Sequence, residues 1–174
     1  GRGYSKGQTQ NSPSNTAAVF AGGSTTYSGN DSVASTEEFN SSLNVIAPAA
    51  WSSGGNLSVA RAAIGGAGTQ TAGLAMSGQI SPGNRTTSTE EYGGSSWTSG
   101  GNIGNARYTM AAGGTQTAAI ASMGWIGSAT TATEYYNGTS WSNGTASNDN
   151  RTNLGSSGTQ TSFLAFGGSE SPGT

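Results

Sequence analysis

The chain has 174 residues, enough for one domain, and Gly, Ser, Thr and Asn account for 95 of them. A net charge of only −2, with four Trp, six Tyr and four Phe, argues against a disordered or linker-like chain. Cys and His are absent and only six residues are basic, which excludes disulfides, thiol chemistry and His-dependent sites and disfavours nucleic-acid binding.

The first 60 residues carry a partial copy of a pattern that recurs along the chain, and we call residues 1–60 unit 1. Thr16–Gly23 leads to Thr36-Glu37-Glu38-Phe39-Asn40, and Trp51 follows fifteen residues after Thr36. In the later copies the Thr-to-Trp spacing is eight residues. Unit 1 is therefore predicted to hold a seven-residue insertion around Leu43–Ala50.

Residues 61–106, unit 2, predict four short strands separated by Gly- and Ser-rich turns. Thr and aromatic residues favour strands, and no window shows the apolar spacing of a helix. A turn that contains Thr69-Gln70-Thr71 joins the first two strands. The predicted strands are Arg61–Ile64, Ala72–Met76, Thr87–Tyr92 and a strand that starts at Trp97.

Residues 107–150 (unit 3) and 151–174 (unit 4) repeat the same landmarks at fixed offsets. Each Trp is followed ten residues later by Arg, each Arg eight residues later by Thr-Gln-Thr, and a Gly comes after that. Asn137-Gly138 predicts a type I′ hairpin turn in unit 3. The landmarks are Trp51, Trp97, Trp141, Arg61, Arg107, Arg151, Gly23, Gly78, Gly124 and Gly168.

Four antiparallel strands in each unit of 40–50 residues are typical of propeller blades, and at this point the chain resembles the kelch family. The resemblance rests on the paired glycines Gly22-Gly23 and Gly167-Gly168, then an aromatic residue, then Trp. The middle units depart from it with Ser77-Gly78 and Met123-Gly124. It implies an all-β, kelch-like β-propeller, here in one domain of about three and a half blades.

The units also resemble Gly/Thr-rich kelch-like repeats in predicted structural proteins of tailed bacteriophages. The matching strings are Thr-Glu-Glu-Tyr, Ser-Ser-Trp-Thr-Ser-Gly-Gly-Asn, Ala-Arg and Gly-Thr-Gln-Thr-Ala. This resemblance implies a place at the virion surface, as a tail fibre or other appendage. Its implied partners are other virion proteins, further copies of the chain, or a glycan or protein of the host surface.

Charged residues recur in register although the chain holds few of them. Arg61, Arg107 and Arg151 repeat, as do the Thr-Glu positions Glu37, Glu90 and Glu134. One hypothesis is that each Arg binds a carboxylate or backbone carbonyls within or between blades, since its planar fork suits such partners. The alternative is that both are solvated strand positions, which would add little stability.

No catalytic, cofactor or metal site is predicted. Adjacent strand residues such as Glu90 and Glu91 point to opposite faces, so they do not form a catalytic carboxylate pair. No apolar run approaches 18 residues, so membrane insertion is not expected. We expect each Trp to pack between blades, with sugar stacking as the alternative role.

A binding surface is expected in the loops that differ between units. These are Leu43–Ala50, Gln79–Ser88 and Gly124–Thr131, and the last holds Trp125, which occurs in one unit alone and is a candidate contact residue or loop filler.

Three and a half blades would leave open sheet edges, so we expect either a longer polypeptide or copies that complete a ring. The predicted function is a non-enzymatic structural or receptor-binding module of a phage virion. The alternatives are a secreted or cell-surface bacterial adhesin or lectin-like propeller, and the non-catalytic propeller of a larger enzyme.

Overall fold

A computed structural model describes residues 17–24, 32–40 and 50–170, which form strands and connections with no helix in those ranges. The all-β class and the four-stranded antiparallel sheets predicted from the sequence are confirmed. No helix of the described ranges is long and apolar enough to cross a membrane.

Units 2 and 3 each form one complete four-stranded sheet with the strands in sequence order. Unit 2 also holds a small hairpin inserted between its second and third strands. The strands of unit 2 are β4 (Gly65–Thr69), β5 (Ala72–Met76), β6 (Gln79–Ser81), β7 (Asn84–Arg85), β8 (Thr89–Tyr92) and β9 (Trp97–Ser99), with sheets β4-β5-β8-β9 and β6-β7. Those of unit 3 are β10 (Ala111–Thr115), β11 (Ala118–Ser122), β12 (Thr133–Tyr136) and β13 (Trp141–Asn143).

The outer units show parts of the same sheet. In unit 1 the described strands are β1 (Ala17–Ser24), β2 (Ser32–Asn40) and β3 (Ala50–Ser53), which pair in that order. Unit 4 contains β14 (Arg151–Thr152), β15 (Gly155–Gly158), β16 (Phe163–Phe166) and β17 (Ser169–Glu170), paired as β15-β16 and β14-β17. Apart from Ala50, the predicted insertion Leu43–Ala50 lies outside the described residues.

The register is the same in both complete sheets. Ala75 faces Glu90 across β5 and β8, as Ala121 faces Glu134 across β11 and β12. Tyr92 faces Trp97, as Tyr136 faces Trp141. The Thr-Glu, aromatic and Trp landmarks of the sequence therefore mark equivalent points of successive sheets.

The first predicted strand was misplaced. Arg61–Ile64 is not a strand, because β4 begins at Gly65 and Ala63 has a left-handed backbone with φ of 52°. Thr109 and Asn153, at the same place in units 3 and 4, also have positive φ, which an extended strand does not accommodate. The third strand starts at Thr89 rather than Thr87, and the second strand and the Trp97 start agree with the prediction.

The hairpin predicted at Asn137-Gly138 is present between β12 and β13, but its turn is not of type I′. Only Gly138 of this pair has a positive φ, of 89°, and a type I′ turn needs two such residues. The Asn137 carboxamide oxygen instead accepts hydrogen bonds from the N–H groups of Thr139 and Ser140. Residues 137–140 thus form a four-residue loop between β12 and β13.

The core lies between the sheets of neighbouring units. First strands pack directly on each other, β4 on β10 and β10 on β15, where Gly and Ala permit a close approach. A Cβ on Gly65 would lie 3.1 Å from that of Ala112, which is tight. Each apolar cluster combines two units: Leu74 and Met76 with Met110 and Ala121, Ala75 with Ala34 and Leu57, and Met123 with Leu154 and Phe163.

Candidate functional site

The recurring Arg and Glu residues form buried ion pairs inside units 2 and 3. Arg61 Nη2 lies 2.6 Å from Glu90 Oε1, and Arg107 Nη2 pairs with Glu134 in the same way. Both Arg side chains are fully buried. Each also donates through Nη1 to a carbonyl that precedes the Glu by two residues, Ser88 O at 2.8 Å and Ala132 O at 2.7 Å.

The second carboxylate oxygen of each Glu accepts a hydrogen bond from a backbone N–H group three residues before the Arg. Ser58 N–H donates to Glu90 Oε2 at 2.9 Å, and Gly104 N–H donates to Glu134 Oε2 at 2.7 Å. Each Glu therefore ties the segment before the first strand to the third strand. Burial lowers the pKa of both Arg61 and Arg107, and the paired carboxylates oppose that shift.

The Trp residues of units 2 and 3 join neighbouring sheets. Trp97 Nε1 donates to Thr36 Oγ1 and to Gly55 O of unit 1, both at 3.0 Å. Trp141 Nε1 donates to Thr89 Oγ1 of unit 2 at 3.1 Å. Each ring also packs on the Tyr across its own strand pair, with centroids 4.9–5.0 Å apart. Trp51, in β3 opposite Phe39, is 51% exposed.

Each of these Tyr side chains binds a carboxylate of the preceding unit. Tyr92 Oη donates to Glu38, and Tyr136 Oη donates to Glu91 Oε1 at 2.6 Å. Burial and the hydrogen bond to Glu91 raise the pKa of Tyr136 to about 12, and burial and Glu38 raise that of Tyr92. The second Glu of Thr-Glu-Glu thus binds a Tyr of the following unit, whereas the first forms its ion pair with the Arg of its own unit.

The Gln of Thr-Gln-Thr joins units in the same direction, a role that the sequence interpretation missed. Gln116 Nε2 donates to Gly73 O at 3.0 Å and to Tyr92 O at 2.9 Å, on two strands of unit 2. Gln160 Nε2 binds Ala119 O at 2.8 Å and Tyr136 O at 2.7 Å of unit 3. The signal was present, because a turn does not require Gln and yet Gln recurs there.

The remaining landmarks occupy backbone positions or lie beyond the described side chains. Gly78, Gly124 and Gly168 all have positive φ, between 83° and 111°, and each is the second residue after the end of the second strand. At Gly124 a Cβ would also come within 2.8 Å of Tyr108 O. Gly23 in β1 pairs with Val33, and the side chain of Glu37 lies outside the described part of the chain.

Two variable loops, Gln79–Ser88 and Gly124–Thr131, are neighbours, and we call them the loop rim. A Cβ on Gly127 would lie 3.9 Å from Arg85 Nη2, so the two loops meet there. Arg85 is half-buried and Ile80 is 38% exposed. Among the four Arg of the described ranges, Arg85 alone forms no ion pair within them.

Trp125 belongs to this rim and is held there by backbone hydrogen bonds. Its N–H donates to Tyr108 O at 2.9 Å and its C=O accepts from Tyr108 N–H at 3.2 Å. The side chain is half-buried. The rim thus combines a positioned indole, the guanidinium of Arg85 and short hydroxyl and amide side chains, a set that can stack on and hydrogen-bond to a sugar or peptide. No group of three or more metal-ligating side chains occurs among the residues described.

No protein-family model and no curated protein matches the chain. The fold resembles that of 116 chains in solved structures. One, titled "Structure of YjhT", aligns with 82% of this chain at a TM-score of 0.66 and 17% sequence identity. The alignment covers 47% of that protein, so the chain spans about half its length. At this identity the likeness concerns the fold alone.

Proposed function

We propose that the chain is a non-enzymatic binding module built of kelch-like propeller blades, and that it serves as a structural or receptor-binding part of a bacteriophage virion. The observation that carries the proposal is the use of the recurring charged groups. Arg61, Arg107, Glu90 and Glu134 are buried in ion pairs inside their units. Charges fixed in this way stiffen a scaffold and are not available to a substrate.

The loop rim is the proposed contact surface. It is where units 2 and 3 differ in sequence and length, while the sheets beneath them share one register. A rigid scaffold with variable loops is a common arrangement for recognition. We propose that Trp125 and Arg85 contact a polysaccharide or protein of the bacterial surface.

Binding to bacterial surfaces tests the contact surface. The purified chain, with Trp125→Ala and Arg85→Ala variants, would be titrated against whole cells and extracted surface polysaccharides from a panel of strains. We expect saturable binding to some strains and a loss of about tenfold or more in the variants. Asn143→Ala, on the exposed outer strand β13, is the matched control and should bind normally. Absence of binding on every strain, or equal binding by all variants, would reject the loop rim as the contact surface.

The virion role and the alternative of a secreted adhesin share the same surface chemistry. Mass spectrometry of purified phage particles separates them, because a virion protein must be present at a fixed copy number per particle. Detection only in culture supernatant or on bacterial cells would favour the adhesin.

A further inference from the structure

We propose that the open edge of unit 4 is a binding site for an incoming β-strand of the type Thr-Glu-x-aromatic, supplied by a further repeat of the same kind. The site consists of β16, the Arg151 guanidinium and the backbone N–H of Asn148. The inference rests on the repeat geometry and is independent of the proposed virion role.

The edge of β16 is the first observation. In units 2 and 3 the second strands, β5 and β11, have a neighbour on each side. In the described part of unit 4, β16 pairs with β15 alone. Ala165 has the same place in β16 as Ala75 in β5 and Ala121 in β11, which pair with Glu90 and Glu134. The second strand therefore carries Ala at this position in all three units.

Arg151 is the second observation. Its Nη1 donates to Gly167 O at 3.1 Å, just as Arg107 Nη1 contacts the equivalent Met123 O at 3.3 Å. Its Nη2, which in the other units binds the strand Glu, lies 3.3 Å from Asp149 Oδ2. That pair is loose, with the Arg side chain 30% and the Asp side chain 59% exposed. The guanidinium is therefore already oriented for a carboxylate from the third strand.

A backbone donor completes the receptor. Ser58 and Gly104, each three residues before the Arg, donate N–H groups to the strand Glu. Asn148 stands three residues before Arg151 and is exposed. A carboxylate opposite Ala165 would thus meet the guanidinium and this N–H group, while the strand carbonyls and amides pair with β16.

The residues of unit 3 that face the incoming strand define that strand further. Tyr92 donates to Glu38 of unit 1, and Tyr136 donates to Glu91 of unit 2. Unit 3 has Tyr135 where units 1 and 2 have these Glu residues. An arriving aromatic residue finds no carboxylate there, so Phe serves as well as Tyr. A Trp further along the strand pair can still donate to Thr133 Oγ1, as Trp141 does to Thr89 Oγ1.

A peptide titration with the full chain tests this site. The probe is a labelled peptide with the sequence of Thr131–Asn143, which contains the third and fourth strands of unit 3. We expect saturable one-to-one binding and slower amide exchange at Phe163–Phe166. Glu134→Gln in the peptide should weaken binding about tenfold or more, whereas Tyr136→Phe should change it less than about twofold.

Variants of the chain provide the complementary arm. Arg151→Met should weaken binding about as much as the Glu134→Gln peptide does. Asp149→Asn should bind at least as tightly as the parent chain, because the competing carboxylate is removed. Equal binding of the Glu134→Gln and unmodified peptides overturns the proposal without any change in the protein. Protection in unit 3 instead of unit 4, or no binding, overturns it as well.

Discussion

Units 3 and 4 begin with the same residue pattern, yet equivalent side chains have opposite surroundings. Arg107 is fully buried against Glu134, whereas Arg151 is 30% exposed beside a solvated Asp149. Ile120 is 5% exposed, whereas Leu164 at the same point of β16 is 61% exposed. Burial here is therefore supplied by the neighbouring strand and the neighbouring unit rather than by the local sequence.

Substitution of the recurring Arg should show the largest difference in stability between the two units. Arg107→Met leaves Glu134 charged and buried, so we expect a loss of about 3–5 kcal/mol in the free energy of unfolding. Arg151→Met should cost less than about 0.5 kcal/mol, because its pair is solvated. Urea denaturation of both variants measures the difference.

A double variant provides the control. Arg107→Met combined with Glu134→Leu removes the unpaired charge, and we expect it to recover much of the lost stability. Equal losses at Arg107 and Arg151 would contradict the contrast between the two units.

The Gln side chains should come next in size. Gln116→Ala leaves Gly73 O and Tyr92 O without their donor, at a cost of about 1–3 kcal/mol. Gln160→Ala removes the same two bonds between units 3 and 4, so we expect it to loosen unit 4 while units 2 and 3 stay intact. Limited proteolysis with mapped cleavage sites distinguishes the two variants. Cleavage spread over all units in Gln160→Ala would contradict the expected loosening of unit 4 alone.

Tyr136 gives the contact between units 2 and 3 a pH dependence. Its pKa is raised in the folded chain to about 12, above the unfolded value of about 10. The neutral hydroxyl therefore contributes its full stability below about pH 10, and that contribution is lost as the pH rises through 12. Tyr136→Phe should cost about 1 kcal/mol at pH 8 and show a smaller loss on going to high pH. Urea unfolding midpoints measured across this pH range test the prediction. Parallel curves of stability against pH for the parent chain and Tyr136→Phe would contradict it.

The smallest expected effect is a gain at Ala63. Its φ of 52° is unfavourable for Ala, so Ala63→Gly should stabilise the chain by about 0.5 kcal/mol. Ala72→Gly, in the extended strand β5, is the control and should lose about 0.5–1 kcal/mol. Thermal unfolding of the pair compares the signs, and a loss in both would show that Ala63 is not strained.

The sequence predicted those parts of the fold that its own residues encode. Ala72–Met76 and the strand starts at Trp97 and Trp141 were predicted correctly, because turns flank small apolar or aromatic strands there. The start of the first strand was missed, since neither Ala63 nor Thr109 signals a left-handed backbone.

Some side-chain contacts could likewise be predicted from the sequence, and others could not. The Arg–Glu pairs agree with one of the two hypotheses drawn from the sequence, because both partners recur in register. The partners of Gln116 and Gln160 are backbone carbonyls of another unit, which carry no residue-specific mark. The loops that hold Arg85 and Trp125 meet, at Arg85 and Gly127, only because two units stand side by side.

Amide hydrogen exchange of the intact chain compares β11 with β16 most directly. If neighbouring strands and units supply the stability, the amides of Ala119–Ser122 exchange only through global unfolding, and those of Phe163–Phe166 exchange at least about a hundredfold faster. Equal protection of the two strands would contradict the account, because each unit would then be stable without its neighbour.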